Sequence, residues 1–248
     1  MSARLLGVLG GLGPMSTFYF CELLTAHTRA ACDADHIDML VSSRASTPDR
    51  TAYILGRPGA RDPLPVMREE ARRLAAAGAD LIVIPCNTAH YFYDGLAADC
   101  PVPILNIIRE TVAFLQKRGV RRCGLLATEG TVASGAYARL CAGAGLECLT
   151  PDPAGQAVVS AAIYGAVKQN RPADAAALGR VAQDLLDRGC ECLVLGCTEL
   201  SLLRRSGLNQ PRIVDALEVL ACRTILACGR EPVGFPPAFD CLRGEATV

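Results

Sequence analysis

Cys86 and Cys197 are the residues best placed to do chemistry, and an internal repeat singles them out. The stretch Gly78-Ala-Asp-Leu-Ile-Val-Ile-Pro-Cys86 aligns without gaps on Gly189-Cys-Glu-Cys-Leu-Val-Leu-Gly-Cys197, with Thr88 and Thr198 close behind. A second pair echoes it: Leu6-Gly-Val-Leu-Gly-Gly-Leu-Gly-Pro-Met-Ser-Thr17 against Cys123-Gly-Leu-Leu-Ala-Thr-Glu-Gly-Thr-Val-Ala-Ser134. The cysteines are 111 residues apart, and Gly7 and Gly124 are 117 apart. Two collinear matches point to duplication. If the halves pack face to face about a pseudo-twofold axis, both thiols enter one cleft from opposite sides. Two thiols flanking one carbon meet the need of two-base proton exchange at a stereocentre, one removing the proton and the other delivering one. A thiol at a helix N-terminus is also expected to have a lowered pKa.

The elements that must position these thiols are readable from hydrophobic spacing. Near-continuous apolar runs at Arg4 to Leu9, Asp38 to Ser42, Leu81 to Ile84, Gly124 to Ala127 and Cys192 to Leu195 predict buried parallel strands. Val66 to Ala77 and Ala173 to Arg188 carry helical spacing, the first entered through Pro63 and Pro65 and stopped by Gly78. Alternating strand and helix gives an α/β class. The expected architecture is two pseudo-symmetric doubly wound domains, each a mostly parallel sheet flanked by helices, meeting near Val102 to Asn106. Residues 1–104 with 211–248 are expected to form the first lobe and 105–210 the second. In open parallel sheets ligands bind beyond the carboxyl ends of the strands. There the chain offers Gly10-Gly-Leu-Gly-Pro14, Pro85-Cys-Asn-Thr-Ala-His90, Ala127-Thr-Glu-Gly-Thr131 and Gly196-Cys-Thr-Glu-Leu200.

Composition narrows the function. The 248 residues carry 25 basic and 25 acidic side chains, so there is no basic excess for a polyanionic partner, and no nucleic-acid binding is expected. No apolar run reaches membrane-spanning length. Thirteen cysteines, an odd count in a long chain with no charged-then-apolar leader before Gly7, argue against a secreted disulfide scaffold and for the cytoplasm. No Cys/His cluster has zinc-like spacing, and Cys190 and Cys192 are expected to face apart, so no metal site is expected. Lys117 and Lys168 are the only lysines against 23 arginines. Neither sits in a recognisable pyridoxal-phosphate setting.

These motifs together resemble the cofactor-independent aspartate/glutamate racemases. The matches are Gly10 to Pro14, Ser46-Thr-Pro-Asp-Arg50, Pro85 to His90, Ala127 to Thr131 with Ser134, Ile163-Tyr-Gly-Ala-Val-Lys168 and Gly196 to Leu200, in the family's order over residues 4 to 220. The Pro-Cys-Asn-Thr-Ala-His and Gly-Cys-Thr-Glu forms resemble the aspartate racemase branch. Glutamate racemases typically carry histidine after the second Cys-Thr, where this chain has Glu199. Departures are Leu12 for methionine, Ser16 for alanine, and Asn106 where many members have histidine.

The resemblance implies that Cys86 and Cys197 are the catalytic acid/bases, with neither cofactor nor metal. It implies that Asn87, Thr88, Thr128, Thr131 and Thr198 hold the α-carboxylate and amino group, with Gly11 and Glu199 also at the substrate. Arg50 and Lys168 would bind the side-chain carboxylate, the group that selects an acidic amino acid. It further implies a homodimer and no membrane partner. Two alternatives stay open: a two-cysteine isomerase of small dicarboxylic acids, and a non-catalytic binder of small acids. His90 reads as a helix-start residue bonded to backbone, and Gly56 to Pro65 as a long loop. The tail from Arg230 to Val248 matches nothing recognisable.

Overall fold

The structure, a computed structural model, describes residues 4–205 and 212–242. Among these residues, eight parallel strands form two four-stranded sheets. The first holds β1 (Leu6–Gly10), β2 (Met39–Ser43), β3 (Leu81–Val83) and β4 (Ile104–Leu105), in the order β2-β1-β3-β4. The second holds β5 (Arg122–Ala127), β6 (Glu147–Leu149), β7 (Cys192–Gly196) and β8 (Ile213–Asp215), in the order β6-β5-β7-β8. The two orders are the same, and the sequence repeat falls on equivalent strands: β3 on β7, β1 on β5.

Strand alternation builds the core. Leu6 and Val8 of β1, Leu81 and Val83 of β3, and Cys192 and Val194 of β7 join one large apolar cluster with Phe20, Phe114, Leu217 and Leu220. Alternate residues point outward: Leu9 and Ile82 pack with Met67 and Leu96, and Leu193 and Leu195 with Leu178 and Leu185. β1, β3 and β7 are buried throughout, whereas edge strand β2 is partly exposed. Cys190 and Cys192 do fall in different clusters, because Cys190 lies before the strand begins.

The expected helices appear as Leu64–Ala76, with Pro65 in its first turn, and Ala175–Asp187, capped by the Asp174 carboxylate accepting from Ala177 N–H at 2.9 Å. Asn106 caps helix Ile107–Lys117, accepting from the N–H groups of Ile108 and Arg109 at 3.0 and 3.1 Å. Its task in the structure is that helix start.

Of the segment 211–248, expected in the first lobe, the strand Ile213–Asp215 departs from that boundary. β8 hydrogen-bonds beside β7 in the second sheet, because Ile213 to Asp215 pair in register with Leu193 to Leu195. Helix Ala216–Ala227 then packs on Pro14–His27 and Ile107–Lys117. The tail returns to the first lobe, where Thr28 bridges to Pro232 and the Val233 carbonyl meets His27 Nδ1 at 2.8 Å. Phe239 stacks on Phe235 and meets Phe114 at a tilt. Residues 243–248 of that tail lie outside the described residues.

Candidate active site

Both cysteines leave the carboxyl ends of repeat-related strands. After β3 the Cys86 N–H turns back to the Ile84 carbonyl at 2.7 Å, a tight bend ahead of the short helical turn Thr88–Phe92. After β7, Cys197 immediately precedes helix Thr198–Arg205. That helix is anchored beneath by Ser201 Oγ, which donates to Asp215 Oδ1 at 2.7 Å. Cys86 and Cys197 are buried, and both line one small cleft.

The charges around Cys197 set its state. Its thiol donates to Glu199 Oε2 at 3.0 Å, while Glu199 Oε1 pairs with the Lys168 ammonium. Burial first, then the Glu199 charge, push the Cys197 thiol well above its ordinary pKa, with Lys168 opposing. The lowering expected at a helix N-terminus is therefore overturned here, because desolvation and the adjacent carboxylate outweigh the helix end. Burial also works against the Lys168 charge, but the Glu199 carboxylate holds that ammonium above its ordinary value.

Lys168 and Tyr164 reach the cleft from an irregular helix. Residues Ala161–Ala166 form a π-helical turn that tightens into Val167–Gln169, and Asn170 ends it in the left-handed region with φ 57°. The Tyr164 hydroxyl donates to Thr51 Oγ1 at 2.7 Å, from second lobe to first. Burial raises its pKa, so the phenol stays protonated. The same lobe contact needs Gly130: a Cβ there would lie 2.8 Å from Thr51 Cα.

Opposite them lie groups suited to a carboxylate. The Tyr137 hydroxyl donates to Asn87 Oδ1 at 2.6 Å, which orients the amide and leaves the buried Nδ2 donor without a partner. The hydroxyls of Thr88, Thr128 and Thr131 form a closed triangle with sides of 2.9, 2.9 and 3.0 Å, joining the lobes. The Arg50 guanidinium is held by backbone: one nitrogen donates to the Leu12 carbonyl at 2.6 Å, the other to Thr47 and Pro48. Its buried Nε has no partner, and among the described residues no carboxylate pairs with it.

Behind Cys86, His90 Nδ1 donates to the Cys86 carbonyl at 2.9 Å and Nε2 accepts from Ile107 N–H at 3.3 Å. Burial lowers its pKa to about 4 against the pull of the Cys86 and Leu105 carbonyls, so the ring is neutral.

Of the residues singled out from sequence, Cys86, Cys197, Arg50, Asn87, Thr88, Thr128, Lys168, Thr198 and Glu199 line the cleft. Thr131 stands behind it, bonded to Thr88 and Thr128. Gly11 lines the wider, more open depression that adjoins it. Its N–H is taken by Thr17 Oγ1 at 3.0 Å, and its φ of +79° and a would-be Cβ 2.4 Å from Arg44 N make it a turn residue. Sequence reasoning missed Leu12, Thr51 and Tyr164 as lining residues, although Leu12 lies inside the Gly10 to Pro14 motif and Tyr164 inside the Ile163 to Lys168 motif. It also missed Tyr137, which no local motif marks. The loop after Gly56 is tied across the lobes by Arg57, 2.8 Å from Glu129.

Known proteins share this fold and family. The Bacillus subtilis (strain 168) broad specificity amino-acid racemase RacX is 28% identical over 227 residues, covering 89% of this chain and 96% of its own. The structure of Picrophilus torridus aspartate racemase superposes with a TM-score of 0.79 at 28% identity, covering 92% of this chain and 96% of that one. A glutamate racemase from Francisella tularensis in complex with D-glutamate shares the fold, with a TM-score of 0.64 at 17% identity over 99% of this chain and 95% of that one. The family model described as Asp/Glu/Hydantoin racemase matches residues 9–223, and the chain belongs to that family, an isomerase of two parallel α/β sheets.

Proposed function

We propose that this enzyme racemises an acidic amino acid, aspartate foremost, by proton transfer between Cys86 and Cys197 without a cofactor. The observation that carries this reading is the convergence of two repeat-related cysteines on one enclosed polar cleft. One sulfur takes the Cα proton from one face while the other returns a proton to the opposite face, and the roles exchange for the reverse reaction. Cys197, kept as a thiol by burial and Glu199, is the proton donor of the resting state, and Cys86 is its opposite base.

The Cα proton is made removable by the groups around the α-carboxylate. The free Asn87 amide donor stabilises charge that spreads onto the carboxylate as the proton leaves, and the Thr88 and Thr128 hydroxyls join it by exchanging a hydrogen bond within their triangle for one to the substrate. Closure of the small cleft strengthens these contacts by excluding water. Lys168 is already neutralised by Glu199, so Arg50 is the cation left to read a side-chain carboxylate. The same reading carries a cytoplasmic, reduced environment for the thiols and a homodimer. Among the described residues no helix is long and apolar enough to cross a membrane.

Chiral chromatography after incubation with a panel of acidic and neutral amino acids tests the substrate. Aspartate is expected to invert fastest. A neutral amino acid turned over faster would overturn the role of Arg50, and no turnover of aspartate or glutamate would overturn the whole reading.

A further inference from the structure

Three thiols outside the cleft converge. Cys123 on β5, Cys148 on β6 and Cys141 on helix Ala136–Gly143 bring their sulfurs within 4.8 Å of one another. Cys123 and Cys148 are register partners on adjacent strands and so share a sheet face, and the helix that carries Cys141 packs over that edge. The cluster stands at the start of β5. Thr128, at the cleft, follows the other end of that strand, about 16 Å away at ordinary strand rise. Cys123 and Cys141 are fully buried, while Cys148 is partly exposed and gives a way in from solvent. Cys192, also a register partner of Cys123, is not among the three.

We propose that Cys123, Cys141 and Cys148 form a three-sulfur site for a soft d10 cation, monovalent copper above all. Thiolate sulfur selects soft ions. Zinc requires a fourth ligand, and among the described residues no histidine, carboxylate or further cysteine completes this group. A metal–sulfur bond of about 2.3 Å, as in zinc thiolates, puts three trigonal sulfurs about 4 Å apart, so the existing cluster needs little closure. Each thiol that binds as thiolate releases its proton to solvent, and copper enters and remains as Cu(I), so no electron moves.

The test is an anaerobic Cu(I) titration of the full-length chain against a chromogenic Cu(I) chelator. The host carries Cys86→Ser and Cys197→Ser, which removes the competing thiol pair of the cleft. One chelator-resistant equivalent per chain is expected, with an X-ray absorption spectrum of three sulfur neighbours. Adding Cys141→Ala, or Cys148→Ala at the partly exposed position, should abolish that equivalent while circular dichroism stays unchanged. If Cys141→Ala does not fold, Cys148→Ala decides. An equivalent that survives Cys148→Ala, or a host that leaves all copper with the chelator, overturns the site.

Discussion

The Cys197 thiol donates to Glu199 Oε2 at 3.0 Å, and the other oxygen of that carboxylate holds Lys168. A buried thiol, a buried carboxylate and a part-exposed ammonium are thus joined in one chain of contacts lining the cleft. Burial and the Glu199 charge together keep Cys197 protonated, which is the state a proton donor must occupy at neutral pH.

The pH profile should therefore depend on Glu199. In the direction that uses Cys197 as acid, activity falls at high pH when the thiol ionises. Glu199→Gln removes the charge and lowers the Cys197 pKa toward its ordinary value, so the alkaline limb of kcat/KM moves to lower pH. An unmoved limb would mean that Glu199 does not set the state of the thiol.

Arg50→Leu should weaken acidic substrates selectively. The guanidinium is fixed by the carbonyls of Leu12, Thr47 and Pro48, which leaves its Nε donor unspent. Losing a charged hydrogen bond to a carboxylate costs about 1.5–3 kcal/mol, so KM for aspartate should rise about 10- to 100-fold. Steady-state kinetics of each enantiomer measure this, and an unchanged KM would assign the side-chain carboxylate to another group.

Tyr137→Phe should be felt in both stability and binding. It strips the 2.6 Å hydrogen bond from the buried Asn87 carbonyl oxygen. An unsatisfied buried acceptor costs about 1–3 kcal/mol. Urea unfolding should register that loss, and KM should rise because the Asn87 amide is no longer aimed. A variant with wild-type stability and KM would remove Tyr137 from the account.

His90 predicts an acid-side loss of stability. Its folded pKa of about 4 lies below the ordinary 6.5, so the unfolded chain binds the extra proton between these values. The contribution is complete above pH 6.5 and is lost as pH falls through 4, a loss of about 3 kcal/mol. Denaturation midpoints between pH 4 and 7 should show this slope, and His90→Gln should flatten it. An equal slope in both proteins would assign the acid sensitivity elsewhere.

The pairing of Cys86 with Cys197 was legible because duplication puts equivalent residues at equivalent strand ends, and strand ends are where parallel sheets bind ligands. Thr88, Thr128 and Thr198 were legible for the same reason. What spacing hides is contact across the lobes. Tyr137 and Asn87 are fifty residues apart in sequence and meet only through tertiary packing. Strands β4, β6 and β8 are two or three residues long, too short for a period of two to register. For that reason the sequence does not reveal β8, whose pairing with β7 carries its segment to the second sheet. The thiol cluster of Cys123, Cys141 and Cys148 escapes a search by spacing because its ligand atoms come from two strands and the helix between them. Glu199 was visible two residues after Cys197, but its effect depends on the direction in which the helix starts.

Isotope placement during turnover tests the two-thiol mechanism most directly. L-aspartate is incubated in D₂O with the reduced enzyme, and both enantiomers are recovered before equilibrium. Two opposed thiols predict that the D-aspartate formed carries deuterium at Cα while the remaining L-aspartate still carries protium. Single replacement of Cys86 or Cys197 by alanine should stop the appearance of deuterated D-aspartate. D-aspartate that retains the original proton, or inversion that survives either replacement, would contradict it.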